Sequence, residues 1–215
     1  MAARGARGPY ASRVARRESI MNAAVDVLAE VGYHGMSLRD VARKVGISHP
    51  GVIYHFPSKE VLLMSVVSDY EEKLGFDLDQ LEVLDAQTVL DSILMLLSRM
   101  GESPLLVEVE CMLRVEASSN VHPAHDHFES RNQRLHSVLE KAWTELVVQG
   151  RVQGDETPAN ITSLQTAVYY GLMNQWLYDH DFDAVGGMVK YYKSVFVPDY
   201  AALMRAHYRE SGWLR

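Results

Sequence analysis

The sequence predicts an all-α protein with a short N-terminal helix-turn-helix domain and a larger C-terminal helical domain. Three observations support this fold class. Apolar residues recur at helical spacing, Ser and Thr stand where helices would begin, and Gly or Pro separates the helical segments. The chain has 215 residues, of which 47% are apolar, and a chain of this length buries enough surface to fold without cross-links.

The first helix is predicted to begin at the cap Ser12 and to end at Gly32, because glycine commonly terminates helices. Between these residues a single apolar stripe follows the i, i+3, i+4, i+7 spacing of a helix: Ile20, Ala23, Ala24, Val27, Leu28 and Val31.

The next three helices are short and each has its own start signal. Ser37, with Asp40 three residues later, resembles a capping box, and Gly46 ends that helix after about two turns. The third helix begins at Ser48 or His49, with a proline tolerated in its first turn. Ser58 caps the fourth, which runs to about residue 74. Further helices are predicted at about 86–100, 104–118, 124–149, 158–179, 184–196 and 198–211.

Residues 107–111 are the one ambiguous segment, because they alternate apolar and polar like a strand. The same segment also fits helical spacing, and Glu110 can pair with Arg114 one turn later. The rest of the sequence offers no partner strand, so we predict a helix.

Charge is distributed unevenly along the chain. The net charge is −7, yet residues 1–57 contain eight basic and four acidic residues, whereas residues 58–215 contain 13 basic and 24 acidic residues. A basic segment on an acidic body is the asymmetry expected when one part of a protein contacts phosphates.

Composition also limits the class of protein. Cys111 is the only cysteine, which excludes an internal disulfide and a multi-cysteine metal site. No apolar run approaches the ~20 residues of a membrane span, and no apolar stretch follows the basic N-terminus as it would in a secretory signal. We therefore expect a soluble cytoplasmic protein that is not membrane-bound.

Residues 37–60 satisfy the physical requirements of a helix-turn-helix. Ala42 is small enough for the close crossing of the two helices, Gly46 tolerates the positive φ of the turn, and Val52 returns an apolar side chain to the first helix. Three further apolar residues complete the predicted core of the motif: Val41, Val45 and Ile47.

Three segments, 37–42, 46–48 and 55–60, resemble the TetR family of bacterial transcriptional regulators, and the family's spacing extends over about residues 15–63. The resemblance implies a DNA-binding domain of three helices, whose third helix enters the major groove. It also implies a fourth helix that leads to a ligand-binding and dimerising body. On this basis we divide the chain into a flexible basic arm at 1–11, a DNA-binding domain at 12–57 and an effector-binding and dimerisation domain at 58–215.

Two positions depart from the family's pattern. Members commonly carry a phosphate-contacting tyrosine two residues before the position of His55, where this chain has Ile53. We expect Ile53 to turn inward and Tyr54 or His55 to contact the phosphate instead. The family often has lysine at the position of His49, so the operator sequence is left open.

Candidate DNA-contacting residues follow from helix geometry. Ser48, His49 and Gly51 begin the recognition helix and are expected near base edges. Ser37 and Lys59 begin helices, where free N–H groups favour a phosphate. Each has a plainer alternative, since a serine can simply cap a helix and a lysine can simply be solvated. The full set of predicted DNA-binding residues is Ser37, Arg39, Ser48, His49, Gly51, Tyr54, His55 and Lys59.

Arg4 and Arg7 could form an arm toward the minor groove, but a plain disordered tail is the favoured interpretation. Residues 122–129 resemble a metal cluster, with His125, His127, Asp126 and Glu129 as potential ligands. On a helix beginning near residue 124, however, His127 points away from the face of His125, and early acidic residues suit any helix N-terminus. We predict no metal and no cofactor.

The later helices are rich in aromatic residues and methionine, which are usually core but can also line an adaptable ligand pocket. The predicted effector-binding residues are Met112, Trp143, Tyr169 and Met173, with Glu108 and Gln165 as polar contacts. Small and aromatic residues within 158–196 suggest a four-helix homodimer seam: Gly171, Gly186, Gly187, Met188, Tyr191, Tyr192 and Val195.

The resemblance implies a homodimeric, ligand-responsive DNA-binding regulator, a repressor, that binds a palindromic operator and is released by a small, largely apolar effector. Two other classes remain as alternatives: a small helical enzyme, and a helical module that binds proteins. No Gly-rich phosphate loop, HExxH or GxSxG motif supports an enzyme.

Overall fold

A computed structural model describes residues 9–213. All regular elements in that range are helical, apart from a single antiparallel bridge between Val152 and Phe196, so the predicted fold class is confirmed. A 3₁₀ turn covers Met100–Glu102. The α-helices are α1 (Pro9–Gly35), α2 (Leu38–Val45), α3 (His49–His55), α4 (Lys59–Lys73), α5 (Leu78–Leu81), α6 (Ala86–Arg99), α7 (Pro104–Glu116), α8 (His125–Val148), α9 (Pro158–Tyr178), α10 (Ala184–Val195) and α11 (Pro198–Glu210).

Helix α1 confirms one predicted boundary and corrects the other. Gly32 adopts φ 72° and ψ 173°, which breaks the regular helix where a stop was predicted. Ser12 does not begin the helix, because α1 already includes Pro9. The predicted arm residues Arg4 and Arg7 lie outside the described residues.

The starts and stops of the next helices agree with the predicted capping signals. Ser37, Ser48 and Ser58 adopt extended backbone conformations and accept hydrogen bonds from the N–H groups of Asp40, Gly51 and Val61, respectively. Gly46 adopts φ 76° and donates its N–H to the Ala42 carbonyl, which ends α2.

Two elements differ from the prediction or resolve its ambiguity. Residues 107–111 lie inside α7, as predicted. Helix α5 was not predicted: it has only four residues and is capped by Asp77, so it is too short to show a hydrophobic period. None of the helices between residues 9 and 213 is long and apolar enough to cross a membrane.

Buried apolar side chains form two clusters. The N-terminal cluster combines the cores of α1–α4 with Leu106, Val109 and Leu113 of α7. The body cluster is formed mainly by α6, α8, α9, α10 and α11, and it includes Val107 of α7. Helix α7 therefore contributes to both clusters, and the N-terminal cluster extends beyond the domain boundary predicted between residues 57 and 58.

Candidate nucleic-acid interface and buried ionic cluster

The helix-turn-helix is held together by the residues that its spacing predicted. Val41 and Val52 are fully buried, and Ala42 is 4% exposed at the crossing of α2 and α3. Val45 and Ile47 are partly buried and pack against the same cluster. This packing fixes the orientation of α3 on the domain.

The outward face of α3 carries Tyr54, whose side chain is 72% exposed. Ile53 is 41% exposed, so the prediction that it turns inward is wrong. The inward positions are taken by Val52 and by Phe56 one turn later, and the residues between them face outward. His49 and Gly51 are half-buried at the start of the helix.

Ser37 and Ser48 act as helix caps through their hydroxyl groups. The Ser37 hydroxyl accepts from the Asp40 N–H at 3.3 Å and donates to the Asp40 carboxylate at 2.5 Å. That hydrogen bond, together with Arg43, lowers the pKa of Asp40. The Ser48 hydroxyl accepts from the Gly51 N–H at 3.2 Å. A phosphate contact by either serine stays a prediction.

Lys59 lies at the start of α4 and is half-buried against the end of α1. Its ammonium group donates to the Tyr33 carbonyl at 3.1 Å and lies 4.3 Å from the centre of the Tyr33 ring. Because an ammonium group has three donors, this contact leaves others free for a phosphate. Arg39 is exposed on α2, whereas Lys44 is paired with Glu30 at 2.6 Å.

Two arginines of α1 that were not among the predicted DNA contacts lie beside the end of α3. Arg17 donates to the His55 carbonyl at 3.3 Å and to the Ser65 hydroxyl at 2.8 Å. The guanidinium of Arg13 lies 5.8 Å from the centre of the Tyr54 ring. Burial, and then the nearby arginines, lower the pKa of His55, so its imidazole is neutral at pH 7. The i, i+4 spacing of these arginines was the signal that could have identified them.

A buried ionic cluster lies where α4, α7 and α8 meet, and we define it as Glu71, Glu110, Arg114 and Arg131. Arg131 donates to the Glu71 carboxylate and lies 3.9 Å from that of Glu110. Arg114 lies 3.1 Å from Glu110 and stacks 3.7 Å from the centre of the Tyr170 ring. Each buried charge of the cluster therefore has an opposite charge as its neighbour.

Burial raises the pKa of Glu71 to about 7; Arg131 opposes the shift and Glu110 adds to it. The usual pKa of a glutamate is 4.5. At a pH between 4.5 and about 7, the Glu71 carboxyl group therefore keeps its proton in the folded chain and releases it in the unfolded chain. The contribution of Glu71 to stability is therefore full below the lower pKa and is lost as the pH rises through the upper one.

A Glu71→Gln variant tests this assignment, because glutamine cannot titrate. The free energy of unfolding of the wild type is expected to fall relative to that of the variant as the pH rises from 5 to 8, measured by urea unfolding at each pH. Glu72→Gln is the control, because Glu72 is exposed. Its free energy of unfolding should change with pH as that of the wild type does. A constant difference between wild type and Glu71→Gln would contradict the raised pKa.

Four cavities adjoin the ionic cluster. Arg114 lines the largest of them, at about 560 Å³, and Glu71 lines the other three. Two of these three are small, at about 30 Å³ and 10 Å³. The third, about 230 Å³, is open to solvent between α4, α5 and α8, with Arg131 also in its wall. Glu71 is therefore a wall residue shared by the two small cavities and the larger one.

The predicted effector-binding residues divide into three groups. Tyr169 and Met173 line the small cavities. Trp143 and Gln165 are instead buried in a hydrogen-bonded chain: the indole N–H donates to Gln165 at 2.6 Å, and the Gln165 amide donates to the Tyr192 hydroxyl at 2.9 Å.

Two other predicted effector contacts do not reach the cavities. Glu108 is exposed, because α7 turns Glu110 inward instead. Met112 packs against the N-terminal cluster. The polar residues beside the cavities, Glu71, Glu110 and Arg131, were missed because they are far apart in sequence.

The glycines and aromatic residues predicted for a dimer seam on α10 face the interior of the chain. Met188 and Tyr192 are fully buried, and a side chain at Gly187 would meet Leu172 at 2.5 Å. Gly187, Tyr191 and Val195 are only partly buried, so a dimer seam that includes α10 stays a prediction. Within 158–196 the large exposed apolar residues are on α9, where Leu164 is 54% and Tyr178 is 87% exposed.

The histidine-rich segment forms a small group at the start of α8. Potential ligand atoms of His125, Asp126 and Glu129 lie within 4.8 Å of one another. His127 is outside this group, as the helical spacing predicts. The His125 Nδ1 atom lies 2.8 Å from the Ala117 carbonyl oxygen, which gives this side chain a structural role.

The N-terminal domain matches known regulators. A family model described as "Bacterial regulatory proteins, tetR family" matches residues 20–66. The HTH-type transcriptional regulator RutR of Escherichia coli strain K12 is 38% identical over 53 residues, which are 25% of this chain and 25% of that protein. The class D tetracycline repressor protein of Escherichia coli is 40% identical over 47 residues, 22% of each chain. The match to these curated relatives thus spans only about a quarter of their length.

Solved structures share the fold of most of the chain. A TetR transcription regulator from Haloarcula marismortui has a TM-score of 0.68 at 20% identity, over 86% of this chain and 100% of that chain. SmeT in complex with triclosan has a TM-score of 0.69 at 15% identity, over 86% and 94% of the respective chains. The match to the tetR family model thus covers residues 20–66, and the solved structures show that most of the chain shares their fold.

Proposed function

We propose that the protein is a DNA-binding transcriptional repressor that acts as a homodimer and is released from its operator by a small effector. The observation that carries this proposal is the capped, rigidly packed helix α3, which exposes Tyr54 beside the basic residues of α1. A short helix presented in this way fits the major groove, and the flanking basic residues suit the phosphates.

A dimer is supported by the outer face of α9. Leu164, Gly171 and Tyr178 follow one another at i, i+7 and i+14, and all three are exposed. The matching face of a second copy would cover this stripe in a two-fold arrangement. The two recognition helices would then read half-sites one DNA turn, ~34 Å, apart.

The effector is proposed to enter the region of Tyr169, Met173 and the ionic cluster through the open cavity at Glu71. Because the two small cavities cannot hold a ligand, binding beside Tyr169 and Met173 requires α4, α7 or α9 to move. An effector that binds only the opened conformation of the body increases the population of that conformation. The affinity for DNA then falls if the opened conformation does not keep α3 in its DNA-binding position. The structural neighbour SmeT, solved in complex with triclosan, supports an effector of small-molecule size.

The contact between the body and the DNA-binding domain supports this coupling. The hydroxyl of Tyr33, at the end of α1, donates to the Glu116 carboxylate at the end of α7. The same Tyr33 holds Lys59 through its carbonyl and its ring. Movement of α7 would therefore displace a residue that positions a predicted phosphate contact.

A single experiment tests the proposed function. The full chain is incubated with DNA flanking its own gene, and protection is mapped by footprinting with and without cell extract. A protected palindrome that is lost with extract supports the proposal. Uniform absence of protection at low salt, where phosphate contacts are strongest, would refute DNA binding.

Lys59→Ala is expected to weaken binding to all duplexes to a similar degree. Since one phosphate contact is lost, the slope of log affinity against log salt should decrease by about one unit. Titrations of fluorescent duplex at several salt concentrations measure this slope. Lys73→Ala is the matched control, because Lys73 lies at the far end of α4 and pairs with Asp69. Equal slopes for wild type and Lys59→Ala would remove Lys59 from the phosphate contacts.

His49→Ala is expected to lower the preference for the operator over mismatched sites by ~1–3 kcal/mol at one base position per half-site. A neutral imidazole has one donor and one acceptor, so it discriminates between bases while adding little general affinity. Binding to random duplex should hardly change. Selection of operators from a randomised pool, with both proteins in parallel, measures the effect. Identical selected sequences, accompanied by lower thermal stability, would assign His49 to a structural role.

A further inference from the structure

A further cavity, which shares no residue with the ionic cluster, lies between α10 and α11 and has a volume of about 250 Å³. Its floor is apolar and includes the buried side chains of Val189, Phe196 and Met204. By comparison, an apolar cavity of ~150 Å³ in another protein admits benzene. The space is therefore sufficient for a short alkyl chain.

The rim of this cavity is strongly basic. Four cationic side chains line it, two from each helix, and all four are exposed: Lys190, Lys193, Arg205 and Arg209. We call the cavity with this rim the basic groove. Asp183, the one acidic residue among its described lining residues, uses its carboxylate to cap α10 by accepting from the Gly186 N–H at 2.8 Å.

The four cations of the basic groove are distinguished by their lack of partners. Twelve Lys and Arg residues lie between positions 59 and 213. Eight of them make a hydrogen bond, an ion pair or an aromatic contact with another described residue. The four that make none within the described chain are those of the basic groove. Within residues 9–213, these four neighbouring positive charges thus have no ion-pair partner, although the body has carboxylates in excess.

We propose that the basic groove binds an amphipathic anion, with an alkyl chain on the apolar floor and a carboxylate or phosphate head group held by the four cations. Arg205 and Arg209 present planar forks that suit both head groups, and Lys190 and Lys193 add charge from the opposite wall. The site is independent of the proposed effector region, whose residues it does not share.

A small anion fits the basic groove better than a second copy of the chain does. In a two-fold interface the same patch faces itself, so four like charges on each side would repel. The body of a partner protomer is acidic, but the exposed apolar residues that suit a seam, Leu164 and Tyr178, lie on α9.

Calorimetric titration of the full chain with four decyl compounds tests the proposal. Decanoate and decyl phosphate are expected to bind at low ionic strength and to weaken as salt screens the rim. Decanol should bind at least tenfold more weakly, and decyltrimethylammonium should not bind. The tighter of the two anions identifies whether the source is a fatty acid or a phosphate ester. Equal affinities for decanol and decanoate would overturn the proposal.

The double variant Lys193→Gln/Arg205→Gln places the binding event in the basic groove. Its affinity for the better anion should fall by about tenfold, because two charge-assisted contacts are lost. Lys141→Gln on α8, whose ammonium group donates to the Glu82 carbonyl, is the control and should bind as the wild type does. Wild-type affinity in the double variant would overturn the proposal. A double variant whose monomer–dimer equilibrium differs from that of the wild type, when the wild type binds no anion, would also overturn it. DNA retention is measured in parallel and should be unchanged, which separates this result from the proposed function.

Discussion

Replacement of Arg131 by alanine is expected to destabilise the folded chain by about 3–5 kcal/mol, because it leaves buried carboxylates without their partner. Arg131 is 11% exposed and donates to Glu71, while Glu110 lies 3.9 Å away. With the guanidinium removed, each carboxylate must either remain charged in a low dielectric or take up a proton. Urea unfolding at pH 7, followed by circular dichroism, measures the loss.

Arg134→Ala is the matched control for this prediction. Arg134 lies one turn later on the same helix and pairs with Asp79 and Glu82, but its side chain is 44% exposed. Surface ion pairs contribute ~0–1 kcal/mol, so the variant should remain close to the wild type. If the two variants lost equal stability, the ionic cluster would not be the buried unit that the structure describes.

Replacement of Trp143 by alanine is expected to cost about 3–5 kcal/mol, as is usual for a fully buried aromatic side chain. The change opens a cavity in the body cluster and leaves the Gln165 side chain without its 2.6 Å hydrogen bond. Trp143→Phe fills most of the space and should cost ~1–3 kcal/mol, because it leaves a buried polar group unpaired. Unfolding in urea distinguishes the two variants.

The same variants decide between a structural and an effector-binding role for Trp143. Trp213→Ala is the control, since Trp213 is only partly buried beside Tyr208, and its loss should be small. If Trp143→Ala retained wild-type stability and changed only the response to an effector, Trp143 would return to the set of ligand contacts.

The fold was predictable from sequence because its signals are local. Ser37, Ser48 and Ser58 each cap a helix through a hydrogen bond to an N–H three residues later, and such a spacing can be read without knowledge of the tertiary structure. The glycine at position 46 likewise predicts the positive φ that its turn requires. The four-residue helix α5 lacked such a signal beyond its cap, and it was missed.

The candidate sites were less predictable, since they depend on which helix faces meet. Glu108 was predicted as the polar contact, whereas α7 buries Glu110, two residues and about 200° further around the helix. The partner of Glu71 is 60 residues away in the chain, a separation that no periodicity reports. The inward orientation of Ile53 failed for a related reason: Val52 and Phe56 already occupy the inner face of α3.

Helix α7 has a consequence for how the chain folds. Its side chains Leu106, Val109 and Leu113 belong to the N-terminal cluster, while Val107 belongs to the body cluster. Neither cluster is complete until this one helix is in place, so the two halves share a cooperative unit and are not independent foldons. Part of the thermodynamic stability of the helix-turn-helix segment therefore comes from residues more than 40 positions beyond its end. Unfolding of either half exposes apolar side chains of the other half.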